Sequence, residues 1–115
     1  MFSQEMLKGM IKPMIIKLIS ENGSMYGYQI TQRVKELSSD EIVITEGALY
    51  PALHKLVAEG ILQVEIEMVG NRERKYYSFS KRGTKTAKAK LKEVGESINV
   101  LVELFGLKSL TYGTM

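Results

Sequence analysis

Thr45-Glu46-Gly47-Ala48-Leu49-Tyr50-Pro51-Ala52-Leu53-His54-Lys55-Leu56-Val57-Ala58-Glu59-Gly60 runs straight into Ile61-Leu62-Gln63-Val64-Glu65-Ile66-Glu67-Met68. Between the two, the hydrophobic period changes from about 3.6 residues to about 2. Leu49, Leu53, Leu56 and Val57 share one side of a helix that follows Thr45, a residue able to cap it, and Gly60 supplies the stop. Leu62, Val64, Ile66 and Met68 then alternate with Gln63, Glu65 and Glu67, which predicts a strand with one face buried. Gly70-Asn71-Arg72-Glu73 reads as a turn and Arg74 to Phe79 as an aromatic-rich return strand. A helix is thus followed at once by a β-hairpin with a charged tip.

Upstream, Ser24 can cap a helix running to about Ser38, with Ile30, Val34 and Leu37 at i, i+4 and i+7. Residues 4–21 carry Leu7, Met10, Ile11, Met14, Ile15, Leu18 and Ile19 as one helical stripe, which Pro13 must either kink or enter as a first turn. Downstream, Ser80 can cap a last helix over roughly 81–105. There Ala87, Leu91, Val94, Ile98, Leu101 and Phe105 form a heptad seam, the mark of a helix that packs along another helix. Gly106 ends it, and Thr111 to Met115 read as a loose tail. The order predicts a mainly α fold with a β-hairpin: a winged helix-turn-helix over 1–80, a long C-terminal dimerisation helix over 81–107, and a flexible tail over 108–115.

The chain has 115 residues, enough for one domain with a real core. It has no Cys and one His, which removes disulfide scaffolds, thiolate metal sites and thiol nucleophiles. No apolar run exceeds three residues, and Glu5, Lys8, Lys12 and Lys17 interrupt the start, so neither a membrane span nor a signal peptide is expected. The formal charge of +3 conceals a separation. Residues 71–92 hold nine basic residues and one acid, Glu73, a net +8, against −5 elsewhere. Read along the chain, this is a basic stripe suited to phosphates or else a solvated lysine face. On the third helix, Gly47, Pro51, His54, Lys55 and Ala58 face outward with Tyr50 at the flank. Small residues there admit a helix to a major groove, and the longer ones reach bases or phosphates.

The run from Ile44 to Leu56, closing with Glu59-Gly60-Ile61-Leu62, resembles the recognition-helix signature of PadR-family transcriptional regulators. Met25-Tyr26-Gly27-Tyr28-Gln29-Ile30 resembles the family's second-helix start, and Arg74-Lys75-Tyr76-Tyr77-Ser78-Phe79 its wing strand. The resemblance implies a homodimeric, operator-binding regulator of a prokaryotic cytoplasm, usually a repressor. Its DNA contacts would come from Tyr26, from Thr45, Gly47, Tyr50, Pro51, His54 and Lys55, and from Asn71, Arg72 and Arg74 on the wing. Tyr26 and Tyr50 fit equally as half-buried core aromatics. Tyr77 and Phe79 share a strand face with Lys75, which puts Lys75 at an edge or beyond a bulge. Some relatives bind small aromatic effectors near the dimer interface. The drug-binding branch stacks them on a Trp of the last helix, and this chain has no Trp, which puts that drug site in question.

An enzyme is the first rival, but one His, no Cys and no phosphate-cradling Gly loop leave little to build a catalytic or metal centre from, and no cofactor is expected. The second rival is a winged helix that serves as a protein-interaction module or an architectural DNA binder without ligand response.

Overall fold

The computed structural model describes residues 2–107, and the tail expected over 108–115 lies outside them. The N-terminal stripe forms two helices, α1 (Gln4–Lys8) and α2 (Ile11–Asn22), where its spacing predicts one over 4–21. In a continuous helix the Pro13 ring would strike the carbonyl of Gly9. Closing α1 at Gly9 and restarting at Ile11 leaves Pro13 in a first turn, where no amide donor is needed. Ser3 caps α1, its Oγ accepting from the Met6 N–H at 3.1 Å. Ile15, Ile16, Leu18 and Ile19 of α2 are buried.

Ser24 is not a helix cap. It opens β1 (Ser24–Tyr26), which pairs antiparallel with β3 (Arg72–Phe79), Ser24 opposite Ser78 and Tyr26 opposite Tyr76. The expected two-stranded hairpin is therefore a three-stranded sheet in the order β1-β3-β2, with β2 spanning Leu62–Val69. Helix α3 (Gly27–Leu37) starts beyond Tyr26, whose N–H donates to Gln29 Oε1 at 3.1 Å. Ile30 and Val34 are buried, but Leu37 overhangs the body and is 59% exposed, against the expectation of a buried residue.

Thr45 stands at the N-cap of α4 (Glu46–Ala58), but its hydroxyl makes no capping bond. Leu49, Leu53 and Leu56 are buried and Val57 is half-buried. Gly60 ends the helix at φ +79°, with its N–H on Val57 O at 2.9 Å and the Ile61 N–H on Leu56 O at 3.0 Å. That double return bond is a Schellman closure, and the left-handed position it needs suits glycine.

The hairpin turn is shorter than its sequence suggests. Val69 pairs with Arg72, so Gly70-Asn71 alone make the bend, with Gly70 at φ +65° as a primed two-residue turn requires of its first residue. The ladder then runs pair by pair to Leu62 opposite Phe79. Of the alternating face of β2, only Leu62 is buried, while Val64, Ile66 and Met68 are 37, 56 and 63% exposed. The hairpin leaves the body after its first pair. This also settles Lys75: no bulge intervenes, and it lies exposed on the face of Tyr77, at the mouth of a hollow shared with Tyr50.

Helix α5 (Gly83–Leu104) enters through a tight junction. Ser80 Oγ donates to Gly60 O at 2.6 Å and accepts from the Gly83 N–H at 3.0 Å, while the Ser80 N–H donates to Ile61 O at 3.0 Å. A Cβ on Gly83 would collide with the Ile61 carbonyl and Ser80 Oγ. The core gathers α2, α4, the sheet's inner face (Met25, Leu62, Tyr77) and Ala87 of α5.

Two predictions follow from this packing. Gly83→Ala should cost about 2 kcal/mol, because the obstacle is backbone and cannot rotate away. A shifted urea midpoint would show it, and an unchanged one would contradict the junction. Tyr77 is buried and has its pKa raised from 10.0, by burial first and then by Tyr50. The unfolded phenol therefore ionises first, so stability is fully present below pH 10 and falls as pH rises past it. Tyr77→Phe should flatten that alkaline loss in pH-dependent denaturation.

Candidate nucleic-acid interface

The exposed side of α4 carries Gly47, Pro51, His54 and Lys55, with the half-buried Tyr50 along its edge. Pro51 has no N–H to give to the Gly47 carbonyl, so the helix's first turns are loosened on the solvent side. Tyr50 is steered by a glycine: its phenol lies on Gly27, where a Cβ would clash with the ring. His54 stands one turn on, its ring 6.5 Å from that of Tyr50.

The second half of the site is built by the sheet. Strand alternation and register place Tyr26, Tyr76 and Arg74 on the outer face, away from Tyr77. The rings of Tyr26 and Tyr76 meet edge to face at 5.3 Å, and the Arg74 guanidinium sits 4.2 Å over the Tyr26 ring. The Arg74 pKa is raised, chiefly by its hydrogen bond with Tyr76. Stacking and hydrogen bonding hold this cation in a defined direction, which a lone surface arginine lacks.

These two halves enclose a hollow of about 280 Å³ lined by Tyr26, Gly27, Tyr28, Tyr50, Glu73, Arg74 and Lys75. A neighbouring one of about 600 Å³ adds Val69 and Arg72 at the hairpin tip. Tyr26, Tyr50, Arg72 and Arg74 are thus brought to one notch. Thr45, Gly47, Pro51, His54 and Lys55 lie on α4 outside it, and Asn71 is exposed at the turn. Tyr28, 63% exposed, and Lys75 also line the notch, and Tyr76 is stacked on Tyr26 beside it, although the sequence reading assigns none of the three to the DNA contact. The run Tyr26-Gly27-Tyr28 was the available signal, but its use depends on the β1–β3 pairing.

The charge is arranged differently from its order along the chain. Strand β2 brings Glu65 and Glu67 into the wing, with Glu67 opposite Arg74. The folded hairpin has three acids (Glu65, Glu67, Glu73) and three bases (Arg72, Arg74, Lys75), so it is neutral. The remaining positive charge, six residues without an acid from Lys81 to Lys92, lies at the base of the hairpin and along α5. The single stripe of +8 is two separate regions. The heptad seam divides as well. Ala87 is buried in its own protomer, Leu91 and Val94 are half-buried, and Ile98, Leu101 and Phe105 are 44, 48 and 68% exposed.

Residues 15–89 match the transcriptional regulator PadR-like family. The chain belongs to that family. This PadR-like chain is 34% identical over 93 residues to Transcriptional regulator Rv3488 of Mycobacterium tuberculosis, covering 80% of each. Its fold is similar to a transcriptional regulator from Clostridium thermocellum, with a TM-score of 0.77, 26% identity, and coverage of 90% of this chain and 97% of the other. It is also similar to Bacillus subtilis PadR solved in complex with operator DNA, at TM-score 0.61 and 28% identity over 70% of this chain and 45% of that one. The architecture of this PadR-like protein is therefore the winged helix-turn-helix that its sequence order predicts. No helix among its described residues is long and apolar enough to cross a membrane.

Gly27→Ala should push the Tyr50 ring off its seat while leaving the exposed face of α4 in place, at a cost of about 1 kcal/mol. The Tyr50 ring signals in an NMR spectrum should move. An unperturbed ring would mean that Gly27 does not position it.

Proposed function

We propose that this PadR-like regulator reads duplex DNA with the exposed side of α4 and with the notch of Tyr26, Tyr50, Arg72 and Arg74, and acts as a homodimer on a pseudo-palindromic operator. The observation that carries this is the joining of a helix face with small residues to a hairpin whose arginine is pre-aimed. A helix with Gly47 and Pro51 outward fits a major groove, and an arginine at a hairpin tip reaches phosphate or a minor groove. The likeness to a PadR solved with operator DNA supports the same reading. Lys55 and Arg72 are assigned to phosphates, His54 and Tyr50 to base edges or phosphates, and Thr45, Gly47, Tyr26, Pro51 and Asn71 to the same contact surface.

Two features support the homodimer. Beyond Val94, α5 carries Ile98, Val100, Leu101, Leu104 and Phe105, all between 44 and 73% exposed. An apolar groove of about 370 Å³ between α2, α3 and α5, lined by Met10, Met14, Leu37, Ile42 and Leu91 among others, is a matching surface on the same chain. A patch of this kind on a two-fold assembly is self-complementary. In this reading residues 1–80 read DNA, 81–107 pair the protomers, and the groove is where a small aromatic ligand would bind to release the operator. Repression as the mode of action follows from the family resemblance.

Selecting bound duplexes from a random pool, with sedimentation of the full chain, tests the proposal. The expected result is a dimer at micromolar concentration and a pseudo-palindrome with half-sites about 34 Å apart. Lys55→Ala should weaken binding to all sequences alike and lower the salt slope by about 1, the signature of a phosphate contact. A persistent monomer, or a pool that yields no preferred sequence, would overturn the reading.

A further inference from the structure

Helix α5 begins with a row of lysines that the proposed operator contact does not use. Lys85, Lys88 and Lys92 follow at spacings of 3 and 4, Lys81 stands in the turn just before the helix, and every one is exposed. On a helical wheel Lys85, Lys88 and Lys92 lie roughly 120° from the Ala87–Leu91–Val94 side that packs on the body. From Lys85 to Lys92 the row extends about 10 Å at 1.5 Å per residue. None of the four forms an ion pair or hydrogen bond among the described residues, whereas Lys12, Lys17 and Arg33 each pair with a glutamate.

This arrangement is electrostatically unfavourable in isolation. Like charges three and four residues apart repel. The row also starts at the positive end of the helix dipole, with no acid in the first turn to offset it. A bound polyanion relieves both costs at once.

The fold places the row away from the notch. The hairpin runs about 23 Å from its base to its tip at roughly 3.3 Å per residue, and α5 starts at the base. The Arg82 side chain lies against Gly60, at the exit of α4, so the row also sits behind the end of α4 that carries Gly47 and Pro51. The row has no aromatic or apolar anchor, and lysine is depleted at protein interfaces, so its chemistry fits a chain of repeating phosphates better than an acidic protein.

We propose that the Lys85–Lys88–Lys92 face of α5, with Lys81 in the turn before it, is a second, sequence-independent DNA surface that holds the phosphate backbone of a second duplex while the front of the molecule holds the operator. This rests on the operator reading given above.

The test uses the full chain, an immobilised duplex carrying the selected operator and a fluorescein-labelled duplex of unrelated sequence. The wild-type protein should retain the labelled duplex on the immobilised one. The triple variant Lys85→Gln, Lys88→Gln, Lys92→Gln should lose that retention at least about 10-fold, with operator affinity held within about 2-fold. Its salt slope for retention should be shallower by about 3, near 0.9 for each phosphate contact removed. Unchanged retention in the variant would overturn the proposal. So would a parallel fall in operator affinity, which would put the row on the flank of the same duplex. Preferential capture of polyglutamate over the labelled duplex would point to an acidic protein partner and also overturn it. Failure of the operator reading itself looks different. Lys55→Ala and Arg72→Ala would then leave single-duplex binding untouched while the triple variant abolishes it, and a molecule with one DNA surface cannot be the two-sided one proposed.

Discussion

Ser80 makes four hydrogen bonds at the one place where helix α4, the wing and helix α5 meet, two of them from the Gly83 amide. Its hydroxyl spans the Gly60 carbonyl and the Gly83 amide, and its own amide reaches the Ile61 carbonyl. The exit of α4, the first rung of the hairpin and the first turn of α5 are thereby fixed to one another. Two glycines make this approach possible. Gly60 supplies the left-handed turn, and Gly83 lets the entering helix lie on the Ile61 carbonyl. The direction of the wing relative to α4, and of α5 relative to both, follows from a junction a few ångströms across.

The wing it aims is not a strongly charged probe. Its three acids and three bases cancel, and its one well-held cation, Arg74, is stacked on Tyr26 and bonded to Tyr76. In the proposed operator contact a neutral hairpin would draw little from counterion release, so its contribution would lie in geometry rather than in bulk attraction. The surplus positive charge sits at the base of the hairpin and along α5. Under that proposal affinity and selectivity would depend on different residues.

The helices, the wing and their order were legible because each depends on local periodicity and local caps. Leu49, Leu53 and Leu56 at helical spacing, Gly60 at the stop, and the alternation from Leu62 to Met68 state their own secondary structure. The same locality explains the misreadings. Ser24 looks like a cap until β3 is laid beside it, and a strand of three residues has no pattern of its own. Val64, Ile66 and Met68 have the alternation of a half-buried strand, but burial needs something to pack against, and the hairpin has left the body by then. The Pro13 alternatives were both visible, and only the break at Gly9 decided between them.

For the site, the sequence by itself determined the exposed side of α4 and the place of the hairpin turn, though not its two-residue length, since helix phase and turn chemistry need no distant partner. The tertiary structure alone decided three things. It seated Tyr50 on Gly27, it stacked Arg74 on Tyr26, and it set Glu65 and Glu67 into the basic wing. Each joins residues more than twenty positions apart, or from opposite strands, and charge summed along a chain cannot show which neighbours folding will bring. The +8 of residues 71–92 was correct arithmetic over the wrong neighbourhood. Coulomb interactions act through space, and the sheet placed two glutamates where the linear count had none.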